Sequence, residues 1–63
     1  SDVIFFKNIQ PELVTIINIT GQVVLQEENV QTSSINISTL KPGAYIVKMN
    51  VGDKIYHQNI SVN

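Results

Sequence analysis

The residues that could carry chemistry are few and far apart. His57 is the one histidine, and there is no cysteine. A general base needs a nucleophile and an orienting partner within hydrogen-bond reach. No serine–acid pair surrounds His57 in a recognisable motif, so it reads as a surface histidine on a strand. Glu27, Glu28 and Asp53 could approach one another at one end of a sandwich, but they lack the dense alternating oxygen ligands of a calcium loop. They read as solvated loop acids. Tyr45 and Tyr56 could form an aromatic platform for sugar. With Gly52-Asp53 as a two-residue turn, however, Met49 faces Tyr56 and Tyr45 faces Ile60, so the rings belong to ordinary cross-strand packing. Asn18-Ile19-Thr20, Asn36-Ile37-Ser38 and Asn59-Ile60-Ser61 match the N-glycosylation pattern. All three overlap strands or a tight turn in a chain rich in Asn and Ser, which makes chance their source. The expectation is no catalytic residue, no metal ligand and no cofactor.

Composition narrows the classes further. Four lysines, no arginine and five acids give a net charge of −1, without the clustered positive charge that nucleic-acid binding needs. The longest apolar run, Val3-Ile4-Phe5-Phe6, is far short of a membrane span, so no transmembrane segment is expected. At 63 residues the chain makes one domain, residues 1–63, that buries only about 60% of its unfolded surface. Without disulfides or structural zinc, the core must come from the Ile and Val that dominate the 43% apolar content. These β-branched residues suit pleated, half-buried surfaces. The chain opens on Ser1 rather than Met, with no signal peptide, and reads as a fragment of a longer protein.

The elements that must position these residues are short β segments separated by turn chemistry. Six strands are expected. The first runs from Val3 to Lys7 and is followed by Pro11. The second, Leu13 to Ile19, is apolar on both parities, which predicts cover on both faces. Asn18-Ile19-Thr20-Gly21 turns the chain into Val23 to Glu27, with Gly21 supplying the positive φ of a tight hairpin. Glu28 to Ser33 is a polar loop. Ile35 and Ile37 alternate with Asn36 and Ser38 as a half-buried strand. At Leu40-Lys41-Pro42-Gly43, Pro42 and Gly43 are expected to fill the second and third positions of a type II turn. Ala44 to Val51 follows with Tyr45, Val47, Met49 and Val51 on one face. Gly52-Asp53 joins it to Ile55 to Val62, where Tyr56, Ile60 and Val62 share a face. Ile16, Ile37, Tyr45 and Val47 are expected in the core.

Two stretches resemble a known family. Val14-Thr15-Ile16-Ile17-Asn18-Ile19-Thr20-Gly21-Gln22-Val23-Val24 is similar to the hairpin V-x-I-Y-D-x-x-G-x-x-V of the type IX secretion system C-terminal sorting domain. Ile35-Asn36-Ile37-Ser38-Thr39-Leu40-Lys41-Pro42-Gly43-Ala44-Tyr45-Ile46-Val47-Lys48-Met49 is similar to its segment I-x-[IV]-S-x-L-x-x-G-x-Y-x-V-K-[IV]. On this resemblance Gly21, Pro42, Gly43, Tyr45 and Val47 are the turn and motif positions. Residue 17 is Ile where the family usually has Tyr, and residue 18 is Asn where it has Asp. The family's Tyr-Pro-Asn-Pro-like opening and its lysines near the terminus have no counterpart, although Ser1-Asp2-Val3 resembles what often follows that opening.

The resemblance implies an all-β fold, an immunoglobulin-like antiparallel β-sandwich lacking its first strand, that ends a larger exported protein. Its partners would be the outer-membrane secretion machinery, a sortase-like protease that cuts upstream of Ser1, and a covalently linked upstream cargo domain. Its route would be the periplasm in transit, then the cell surface or medium. The expected recognition surface is the last hairpin, through Lys54, Tyr56, His57, Ile60 and Val62, since exposed edge strands pair with other sheets. Two other readings share the sandwich. One is a passive spacer or adhesion domain, and the other is a carbohydrate-binding accessory domain of a surface protein.

Overall fold

A computed structural model describes residues 3–5, 10–28 and 34–63. It contains six strands in chain order: β1 (Val3–Phe5), β2 (Leu13–Asn18), β3 (Val23–Glu28), β4 (Ser34–Asn36), β5 (Gly43–Val51) and β6 (Lys54–Val62). The expected continuation of the first strand through Phe6 and Lys7 lies outside the described residues, as do residues 29–33 of the expected loop. Ile37 sits one residue beyond β4 yet is buried.

The strands form two antiparallel sheets. One holds β1 and β4, and the other is ordered β3-β2-β5-β6. One face of the larger sheet carries Val14 and Ile16 from β2 opposite Met49 and Val47 from β5. These residues and Tyr45 form a single cluster with Ile35 and Ile37, and Ile4, Leu25, Leu40, Ile60 and Val62 pack around it. Two sheets sharing one apolar layer make a sandwich. All four residues expected in the core are buried.

β2 is central, flanked by β3 and β5. Its inward Val14 and Ile16 are fully buried, and its outward Leu13 and Ile17 are half-buried. This accounts for a strand apolar on both parities: cross-strand neighbours shield its second face. Thr15 is buried on that second face, where its Oγ1 accepts a hydrogen bond from Gln26 Nε2 at 3.1 Å.

The β2–β3 hairpin closes through a three-residue loop. Gly21 N–H donates to Asn18 O (3.0 Å), and Asn18 N–H donates to Gln22 O (2.9 Å). Gly21 has φ 90°, the conformation that such a loop needs at its third residue. Asn18 Oδ1 also accepts from Thr20 N–H, Thr20 O–H and Gln22 N–H at 3.0, 2.8 and 2.9 Å. A carboxylate oxygen could accept the same three bonds, so Asn stands here in a role that Asp would also fill. The side-chain nitrogen adds a bond to Gln22 Oε1 at 3.1 Å.

The turn expected at Pro42-Gly43 is not type II. The hydrogen-bonded turn comes earlier, where Leu40 N–H donates to Ile37 O at 3.0 Å. Asn36 Oδ1 starts this reversal by accepting from Ser38 N–H at 2.8 Å. The Lys41 carbonyl, on which a type II turn would close, instead takes the Tyr45 hydroxyl at 2.5 Å. A tyrosine near the start of a strand bonding the backbone a few residues upstream is the tyrosine corner of immunoglobulin-like sandwiches. Gly43 keeps its expected positive φ, at 152°, as the first residue of β5 opposite Val62.

Candidate functional site

The last hairpin is regular. Gly52-Asp53 is a two-residue turn, and the register runs unbroken from Val51↔Lys54 through Met49↔Tyr56 and Tyr45↔Ile60 to Gly43↔Val62. The turn is tied to the entry of β2: Glu12 N–H donates to Asn50 O at 2.8 Å, and Gly52 N–H donates to Glu12 Oε1 at 3.3 Å. Pro11, fully buried beside Glu12, fixes the approach of that segment.

Side chains alternate across a strand, so the expected recognition residues divide between two faces. Lys54, Tyr56, Ile60 and Val62 share the face of the sandwich core. Ile60 and Val62 pack against that core, whereas Tyr56 remains 43% exposed. His57 lies on the opposite face, across from Lys48. These five residues are therefore one strand but not one surface. Of the motif residues, Tyr45 and Val47 are core, Gly21 and Gly43 sit at turns, and Pro42 precedes β5.

What the five do share is a free strand edge. β6 pairs with β5 and with no other strand among the described residues. In an antiparallel ladder, opposed residues alternate between pairs that exchange both main-chain hydrogen bonds and pairs that exchange none. The pair flanking a two-residue turn is of the bonded kind, so Val51/Lys54, Met49/Tyr56, Val47/Gln58 and Tyr45/Ile60 are bonded. The main-chain groups of Ile55, His57, Asn59 and Ser61 consequently point away from β5. Asn59 O takes the Gln58 side-chain nitrogen at 3.5 Å instead.

The other candidate chemistry does not assemble. Among the described residues no three His, Asp or Glu side chains are grouped to hold a metal ion. Glu27 and Glu28 lie on β3, two strands away from β5 and its Gly52-Asp53 turn. An open hollow lined by Asn18, Val24, Thr39, Leu40, Lys41 and Tyr45 lies beside the tyrosine corner. Its one aromatic ring is buried, with the hydroxyl committed to Lys41, and offers no stacking face for sugar. No helix among the described residues is long and apolar enough to cross a membrane.

Sequence reasoning missed an apolar row on the outer face of the larger sheet. Val23, Ile17 and Ile46 are consecutive cross-strand neighbours there, and Val23 and Ile46 are exposed. The available signal was Ile46, an apolar residue at the parity opposite to its core-facing neighbours Tyr45 and Val47.

The fold defines a small β-sandwich in which β6 presents a long, regular edge that no other described strand covers. Residues 2–63 match the family described as the secretion system C-terminal sorting domain, and the chain belongs to that family. It is a sorting signal for type IX secretion, which implies a secretion system, an attached upstream cargo, and export to the cell surface or medium. The family is not a catalytic one, and the spacer and carbohydrate-binding readings are not favoured. Among curated proteins none matches the chain.

Proposed function

We propose that residues 1–63 act as one non-catalytic address, read by the outer-membrane secretion machinery through the free edge of β6 after transit through the periplasm. A sortase-like protease then removes the domain on the upstream side. The observation that carries the reading is the nine-residue, unbroken edge whose Ile55, His57, Asn59 and Ser61 main-chain groups face outward. Main-chain pairing with an added strand supplies affinity, and side chains on alternate faces supply selectivity. Of the five recognition residues, Lys54, Tyr56 and His57 are exposed beside that edge, while Ile60 and Val62 anchor it to the core.

The test fuses the chain to the C-terminus of a periplasm-targeted reporter in a bacterium with this secretion system. Asn59→Pro removes an outward N–H without touching the β5 ladder, a position where a strand tolerates proline. Export should fall at least tenfold while the β circular dichroism signal of the isolated chain is kept. Deleting Ile55 to Asn63 should leave the reporter in the periplasm. Undiminished export by folded Asn59→Pro would remove the β6 edge from the mechanism.

A further inference from the structure

The β6 edge is complementary to itself, and we infer that two copies of this chain pair β6 to β6, antiparallel, about a twofold axis at Gln58. The inference rests on the geometry of the edge and not on the sorting reading. Ile55, His57, Asn59 and Ser61 point their main-chain groups to the side of β6 where no described strand lies, so an added strand must match its own outward residues to these and displace the long contact from the Gln58 amide to Asn59 O. Centring the axis on Gln58 pairs Ile55 with Ser61 and His57 with Asn59, and their reciprocals, so that all four outward residues of each copy bond. Centring it on His57 leaves Ser61 without a partner in β6 and sets histidine against histidine. Centring it on Asn59 leaves Ile55 opposite Asn63, beyond the strand.

The side chains favour the same register. On the core side Tyr56 falls opposite Ile60 of the second copy, an aromatic against a β-branched residue. Tyr56 is 43% exposed and Ile60 only half-buried, so each would cover apolar surface that the single chain leaves open. Lys54 falls opposite Val62, and Gln58 meets Gln58. β6 contains no Asp or Glu, and the register opposes no two like charges. Nor does β6 carry the proline or bulge that commonly keeps edges apart, and its one lysine, Lys54 on the core face, stands at the first position of the strand, away from the axis. A strand-edge contact of this size is small, which makes the dimer weak and concentration-dependent.

The chain has no cysteine, so a single introduced thiol reports the register directly. At the twofold axis the two residues 58 form a non-bonded pair with Cα atoms about 4.5 Å apart, within disulfide reach. Residues 57 of the two copies are diagonal, at about 8 Å, and out of reach. Under mild oxidation Gln58→Cys should give mostly covalent dimer, whereas His57→Cys and Ser38→Cys should stay largely monomeric. Sedimentation of the unmodified chain should show the mass rising towards double with concentration, and Gln58→Lys, which places two charges on the axis, should abolish the rise. Gln58→Lys should still export a fused reporter, because a heterologous strand has no twofold axis. Absence of a concentration-dependent mass, or cross-linking of Gln58→Cys no faster than of Ser38→Cys, would overturn the inference. Preferential cross-linking of His57→Cys would overturn the register.

Discussion

The two edges of the four-stranded sheet are built differently. β3 is six residues long, ends in Glu27 and Glu28, and loses register against β2 between Ile16 and Ile17, so that Val24 has no partner in the ladder. β6 is nine residues long, keeps register with β5 throughout and carries no acid. A short, bulged, charged edge resists the addition of another strand, and a long regular one invites it. In so small a domain an open edge is a hazard for aggregation, and its retention on one side only is consistent with an edge that is used. The asymmetry separates an edge built to resist strand addition from one whose geometry permits it.

The largest effect expected falls on both edges together. Ile16 is fully buried in β2, between β3 and β5, and Ile16→Ala should cost about 2–5 kcal/mol. For a domain near the lower limit of size this is a large share of total stability. Urea denaturation should show the chain largely unfolded or its midpoint strongly lowered, and a fused reporter should no longer be exported.

Gly43→Val acts on the open side, since Gly43 begins β5 opposite Val62 of β6. A Cβ there would meet only Tyr45 Cε2, at 4.0 Å, so the penalty arises from the backbone at φ 152° and should be about 1–3 kcal/mol. Gly43→Asn should be milder. Equal denaturation midpoints for Gly43→Val and the parent would show that the position tolerates an ordinary side chain.

Asn18 acts on the closed side, where its side chain ties the β2–β3 loop. Asn18→Ala removes the acceptor of three hydrogen bonds and should cost about 1–2 kcal/mol. Asn18→Asp keeps that acceptor and should stay within about 0.5 kcal/mol of the parent. At a temperature where Asn18→Ala remains folded, reporter export should be unchanged, because β6 is untouched. Loss of export in that folded variant would mean that the closed side also takes part in recognition.

The smallest effect expected concerns stability least and association most. Glu27→Thr with Glu28→Thr removes the charges that guard β3 while keeping strand propensity. The denaturation midpoint should move little, since both positions are exposed. Light scattering should report more association than in the parent, and no change would assign the protection of β3 to the bulge alone.

Much of this was legible before the structure. The alternation in Tyr45, Val47 and Met49 identified the inward face of β5, and the Gly52-Asp53 turn gave the register of the last hairpin, because a two-residue loop leaves no freedom in pairing. The β2 register was not legible, since its apolar residues occupy both parities and either face could have been the core. Type II geometry at Pro42-Gly43 was suggested by local propensity. It lost to strand pairing: Gly43 extends to φ 152° as the first residue of β5, and the Lys41 carbonyl is met by the Tyr45 hydroxyl. The split of His57 from Lys54, Tyr56, Ile60 and Val62 follows from strand parity alone, but its meaning depended on knowing which face held the core.

By itself the sequence determined the all-β class, the positions of most turns, the family and the absence of a recognisable catalytic motif. These follow from local backbone preferences and from spacings that survive without coordinates. Only the tertiary structure decided the strand order β3-β2-β5-β6, and with it which strands are central and which are edges. Strand order depends on contacts between segments distant in the chain, and no local preference encodes which main-chain groups are left without a neighbour. The outward N–H and C=O groups of Ile55, His57, Asn59 and Ser61 lie along an open edge because β5 occupies one side of β6 and no described strand occupies the other.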